Sequence, residues 1–237
     1  MASRQASFAE IISDLETQFL STFPRIPARD QQSLSDRIRR ALSWMKRAAS
    51  VSCEDRPPRF VDLWIALNAL YGRRYYGQES SRNEYKDFRE FISLCMAFKE
   101  GRDVLELFMN KRHSQGRVRH LVENQYLYVE FWEGDMIARE DVSRNQIDRL
   151  EAALQHNNAK VFLACLFDRL MVLRNQIVHG SASADTRRNR DALVPGILIL
   201  EELLPALVKL LIEHGKGRSW PDVPYPAIHT ALHPVSV

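Results

Sequence analysis

Lys160-Val-Phe-Leu-Ala-Cys-Leu-Phe-Asp-Arg-Leu-Met-Val-Leu-Arg-Asn-Gln-Ile-Val-His179, followed at once by Gly180, decides how this chain folds. The run is apolar on nearly every face of a helix, the pattern of a helix buried on all sides. It stops where a glycine can adopt the left-handed cap. Asp168, Asn175 and His179 recur at steps of seven and four, which places them on one stripe. Arg174 precedes His179 by five positions, so the two project about 140° apart around the axis. A histidine can move a proton near neutral pH, and a guanidinium grips a phosphate with a planar fork of donors. An arginine followed by a histidine in one short run is more often structural than chemical. The surrounding helices must therefore decide what this pair does.

Outward from that run the pattern stays helical. Phe8, Ile11, Ile12, Leu15, Phe19 and Leu20 predict a helix over about Phe8–Phe23, ended by Pro24 and Pro27. A second is expected over about Ser33–Ala49, after which Pro57-Pro58 marks a turn. The third, Phe60–Gly72, is apolar nearly all round, with Asp62 and Asn68 as its polar exceptions. Residues 73–83 read as a loop, and 84–109 as helix with a break near Gly101. Residues 111–135 are basic and then aromatic; the near alternation after Asn124 allows a short strand or a helix, with helix preferred. Amphipathic helix returns at Arg144–His156. After a loop over 181–190, a last helix is expected at Asp191–His214, kinked by Pro205. The tail from Trp220 carries Pro221, Pro224 and Pro226 and should lie extended across the bundle.

The composition agrees. With 9 Gly and 10 Pro in 237 residues, long stretches lack both, which favours helices over a turn-rich β fold. Hydrophobic residues at 45% and charged residues at 27% are ordinary for a globular protein with a real core. A net charge of +3 permits a nucleic-acid partner without announcing one. Cys53, Cys95 and Cys165 form no C-x-x-C pair and read as small core residues of a reduced, cytoplasmic protein. Arg4, Glu10, Asp14 and Glu16 stand where a secretory signal would need an apolar run. The greasiest stretch, Ala192–Ile212, is interrupted by Pro195, Glu201, Glu202, Pro205 and Lys209, so no membrane span is expected.

The combination of Arg174, Asn175 and His179 at the end of one buried helix with the helix Arg59–Gly72 resembles the HEPN superfamily (higher eukaryotes and prokaryotes nucleotide-binding). The closing Trp220-Pro-Asp-Val-Pro-Tyr-Pro226 is similar to the ending of stand-alone bacterial HEPN proteins. The likeness touches the chain at three places between Arg59 and Pro226; the first helix and 111–143 lie outside it. It implies one all-α domain over 1–237. Its helical-bundle core spans about 33–215, with an extra N-terminal helix, a 111–143 insertion and an extended 216–237 tail.

The resemblance also implies a metal-independent endoribonuclease without a cofactor, working as a homodimer whose two copies build one composite site. Arg174 and His179 would be the catalytic pair, Asn175 would position them, and Asn68 and Asp168 would support the cleft. Attack by a ribose 2′-hydroxyl would leave 2′,3′-cyclic phosphate ends, and a toxin or phage-defence role would follow. One departure stands out. HEPN toxins controlled by a nucleotidyltransferase antitoxin carry a tyrosine two residues after the histidine, and here that position is Ser181. Targeting would then come from another antitoxin or activating partner protein, or from the 111–143 insertion. A non-catalytic HEPN module that binds RNA, a nucleotide or a protein remains the alternative.

Other signals are weaker. The basic runs Arg37–Arg47 and Lys111–Arg119 read first as solvated faces and second as RNA tracks. Tyr126, Tyr128 and Trp132 read first as core and second as base-stacking groups. His229 and His233, four apart, lack a third ligand for zinc. No glycine-rich phosphate loop is present, which leaves an NTPase without support.

Overall fold

The computed structural model describes residues 6–24, 28, 31–74, 83–180 and 187–225, those of 187–190 by backbone alone. Among them all regular structure is helical and no strand forms. The order is α1 Phe8–Thr22, α2 Gln32–Ser50, α3 Arg56–Tyr71, α4 Glu84–Met96, α5 Lys99–Asn110 and α6 Arg112–Glu123. A single 3-10 turn, Gln125–Leu127, follows. The remainder are α7 Val129–Trp132, α8 Met136–Gln155, α9 Ala159–Val178 and α10 Arg187–His214. Ser181, His229 and His233 lie outside the described residues, as does most of the loop expected over 73–83.

Local chemistry explains the ends. Ser7 and Glu10 cap α1 reciprocally, each side chain accepting from the other's backbone N–H. Asn83, Asp135 and Asn158 cap α4, α8 and α9 in the same way from one side. Pro57 and Pro58 do not form a separate turn; they sit in the first turn of α3, where no backbone donor is needed. Gly180 ends α9 at φ 65°, the left-handed cap expected from its position. Pro195 and Pro205 both lie inside α10, which starts four residues before its expected Asp191.

The break expected at Gly101 falls instead at Ala97–Phe98, and Gly101 lies in the first turn of α5. Glycine is required there by space: a Cβ would stand 1.7 Å from the Cys95 carbonyl oxygen. Gly101→Ala should therefore cost about 2 kcal/mol or more, because backbone must move. Gly116, inside α6 with nothing within 4 Å of a built Cβ, should gain up to about 1 kcal/mol on the same change. Urea unfolding of both variants checks the pair; equal effects would contradict it.

The core centres on α3 and α9. α2 and α10 pack on α3, while α4, α5, α6 and α8 pack on α9. Phe167 of α9 is the aromatic hub: Phe88 stacks on it at 4.1 Å, and Trp64, Tyr71 and Tyr85 surround it at 5.4 to 5.8 Å. Cys95 and Cys165 are buried as expected, whereas Cys53 is exposed in the α2–α3 connection. The 111–143 stretch is helical, not strand. Tyr128 is buried and donates to the Val122 carbonyl at 2.6 Å, while Trp132 stays half exposed.

The basic runs are not simply solvated faces. Arg37 is 1% exposed and donates to the carbonyls of Leu70 (2.6 Å), Gly72 (2.7 Å) and Pro221 (2.6 Å). Burial pulls its pKa down to about 10, so it remains charged at neutral pH. Arg40 takes the carbonyls of Pro224 and Tyr225, and Arg47 pairs with buried Asp62 at 3.2 Å. In the second run Lys111, His113 and Arg117 converge on Glu202 of α10 at 2.8 to 3.2 Å. Both runs therefore tie elements distant in the chain. The first holds the tail: Val223 is buried, and the Arg74 amide donates to the Asp222 carbonyl at 2.7 Å.

Candidate active site

Asn158 opens α9 by accepting from the Val161 amide at 3.2 Å, and the helix then runs unbroken for 20 residues. His179 is its C-terminal cap residue (φ −89°, ψ 7°), its amide donating to the Asn175 carbonyl at 3.0 Å. The imidazole is exposed and makes no hydrogen bond or ion pair among the described residues. Val178 beside it is 55% exposed. The last turn of this otherwise buried helix thus reaches solvent.

Arg174 points toward α3 and α4. Its Nη2 donates to Glu84 Oε2 at 2.7 Å, and the same oxygen accepts from the Tyr71 hydroxyl at 3.0 Å. The guanidinium lies 5.2 Å from the centre of the Trp64 ring, and Met171 Sδ is 3.4 Å from Nη2. Its Nε is buried without a hydrogen-bond partner. With side chains 16% and 20% exposed, Arg174 and Glu84 form a partly desolvated pair. Coulomb attraction and desolvation nearly cancel in such a pair. What the pair supplies is orientation: a carboxylate, an aromatic face and a sulfur hold one guanidinium in one place.

Within one chain, then, no hydrogen bond joins Arg174 to His179. Asn175 lies half-buried between them, and its side chain makes no hydrogen bond among the described residues. Asn68 follows Trp64 by one helical turn on α3 and is half-buried on the same side of that helix. Asp168 is farther back, six residues before Arg174 on α9. It is 8% exposed, with Arg149 at 3.9 Å.

Burial pushes the Asp168 carboxyl above the usual carboxylate range, against the opposing pull of Arg169, Arg89, Arg149 and a bond from Gln146. The folded state therefore holds that proton more tightly than the unfolded chain. The stability it contributes is full below about pH 4 and is lost as pH rises through the raised pKa. Asp168→Asn cannot ionise, so its stability relative to the native chain should improve between pH 4 and pH 8. Urea unfolding across that range checks this, and a constant difference would contradict it.

Glu84, Tyr71 and Trp64 were not singled out as site residues by the sequence. Trp64 and Tyr71 sit seven apart in an apolar helix and read only as core, while Glu84 opens α4 beside a polar loop. Arg169 was missed too: buried, it donates to the Leu127 carbonyl at 2.6 Å and lies 4.0 Å over Tyr128. Among the described residues no three of His, Cys, Asp and Glu gather as metal ligands would. No helix among them is long and apolar enough to cross a membrane. Searches against family models, curated proteins and solved structures find no match to this chain.

Proposed function

We propose that this chain is a HEPN-type endoribonuclease that cuts RNA without metal, from a site completed by a second copy of itself. The supporting observation is the division of labour at the end of α9: His179 stands exposed and unengaged, while Arg174 is held half-buried by Glu84 and Trp64. A proton-transfer group needs access, and a charge-stabilising group needs a fixed position. In the proposed dimer, one reacting phosphate meets the arginine of one copy and the histidine of the other. Apolar surface at Val178, Val194 and Leu198, on the end of α9 and the start of α10, is available for a second copy to cover.

In this mechanism the His179 imidazole takes the proton of a ribose 2′-hydroxyl. The 2′-oxygen bonds to phosphorus, the bond from phosphorus to the 5′-oxygen breaks, and a 2′,3′-cyclic phosphate remains. The departing 5′-oxygen takes a proton from an imidazolium, a role open to the second copy's histidine. Arg174 stabilises the extra charge on the five-coordinate phosphorus. The Asn175 side chain, unengaged among the described residues of the single chain, is proposed to orient the pair once RNA and the second copy are bound. A role as a toxin or antiviral effector follows from the resemblance stated above.

The reading of a module that binds without cutting is favoured by one observation: Glu84 already neutralises Arg174. A mixing experiment decides between them. Arg174→Ala and His179→Ala proteins, each inactive alone, should regain part of the RNA cleavage when mixed, because a mixed dimer keeps one arginine and one histidine across its two copies. The departing oxygen must then take its proton from water. A mixture as inactive as its components, or a chain that stays monomeric, would overturn the composite site.

A further inference from the structure

Many cations of this chain are already occupied by its own acids and carbonyls. Arg37 and Arg40 hold the tail, Arg59 pairs with Glu201, and Lys111 and Arg117 sit on Glu202. Arg89 differs: it is exposed on α4 and makes no ion pair or hydrogen bond among the described residues. One helical turn before it on the same face is Tyr85, 37% exposed, its ring edge-on to Phe167 at 5.8 Å. The Tyr85 hydroxyl makes no hydrogen bond among the described residues either. Tyr85 and Arg89 share the wall of an open hollow of about 250 Å³. Across α9, Arg149 of α8 is 42% exposed and reaches Asp168 only at 3.9 Å.

These groups border one stretch of α9. Tyr85 rests on Phe167, Arg149 approaches the adjacent Asp168, and Glu84, the residue before Tyr85, holds Arg174. From Asp168 to Arg174 the helix rises about 9 Å. The electrostatics describe the same neighbourhood: after burial, the Tyr85 phenol responds most to Asp168, Arg169 and Arg174, and Asp168 responds to Arg89 and Arg149. An anchored aromatic ring with cations near the same stretch of helix suits a single strand, whose bases are free to stack and whose phosphates repeat along the backbone.

We propose that Tyr85, Arg89 and Arg149 form a track for single-stranded RNA leading to Arg174, with Tyr85 stacking a base and the two arginines taking phosphates. Its direction rests on Arg174 being the reaction centre; the binding itself does not. Recognition here is by stacking and charge, so it tolerates any base, and the 2′-hydroxyl enters only at the chemical step.

The test uses the full chain carrying His179→Ala, so that RNA is not consumed, and a fluorescein-labelled 12-nucleotide single-stranded RNA followed by anisotropy. Adding Arg89→Ala and Arg149→Ala together should raise Kd about tenfold and flatten the slope of log Kd against log salt by about 1.4. Tyr85→Ala should raise Kd about tenfold, and Tyr85→Phe, which keeps the ring, should stay within about twofold. Arg112→Ala, an exposed cation on α6, serves as control and should also stay within about twofold. Absent RNA binding, unchanged affinity in the double variant, or an equal loss in Arg112→Ala would overturn the track. Cleavage by the native chain is read separately. Cutting with a KM untouched by the two arginines overturns the track and keeps the nuclease, while variant-sensitive binding without cutting keeps the track and overturns the nuclease.

Discussion

His179→Ala is expected to slow RNA cleavage about a hundredfold or more while leaving the unfolding transition unchanged. Both halves of that expectation come from position. The imidazole is exposed and engages nothing among the described residues, so removing it opens no cavity and strands no partner. The helix end is held by backbone: His179 donates to Asn175, Gly180 donates to Ile177, and Gly180 takes the left-handed angle. What is lost is the group proposed to move the proton. Arg174 is a harder position to interpret, because alanine there would leave Glu84 and the Trp64 face without their cation. Arg174→Lys keeps the charge but not the planar fork, and should also cut poorly while folding normally. Cleavage rates measured beside urea unfolding curves separate chemistry from stability. Undiminished cutting by His179→Ala would remove the histidine from the mechanism.

The second large effect is on stability. Arg37→Ala should destabilise the chain by about 3–5 kcal/mol, the cost of removing one partner from a buried charged network. Three carbonyls from two places in the chain, Leu70 and Gly72 at the end of α3 and Pro221 in the tail, would lose their donor at once. A buried acceptor left unpaired costs about 1–3 kcal/mol, so three together set the scale. Pro221 would lose its bond to α2, while Ser33, Arg40, the Arg74 amide and the buried Trp220 and Val223 would still hold the tail. Arg37→Lys, which keeps one charge and loses the fork, should fall between. Urea midpoints for the three proteins give the order native, lysine, alanine; a loss under about 1 kcal/mol in the alanine variant would show that the clamp stabilises little.

Arg37 also shows where reading residues in order stops. Among the basic residues of α2, periodicity cannot say which one is swallowed, because the choice is made by a tail returning 184 positions later. Arg174 and Glu84 pose the same problem: the arginine stood out, but its acid lies 90 positions away at the start of another helix. α9 was legible because the apolar residues around it and the glycine able to reach φ 65° after it are local; its cap, Asn158, came only with the structure. The stretch after Asn124 was ambiguous because its aromatics alternate while its backbone is fixed from elsewhere. The Tyr126 carbonyl there takes donors from both Gln176 and Trp132, which settles a 3-10 turn followed by a short helix. Gly101 was noticed and misread. A glycine in a helical run suggests a break, yet this one answers to the Cys95 carbonyl behind it.

By the proposed mechanism, the end of α9 cuts RNA by proton transfer without a metal ion. Its most direct test is to incubate the purified chain in EDTA with end-labelled single-stranded RNA and with DNA of the same sequence, alongside His179→Ala. RNA alone should be cut, the fragments should end in 2′,3′-cyclic phosphate, and the variant should leave the RNA intact. Cutting of the DNA as well, or equal cutting of RNA by the variant, would contradict it.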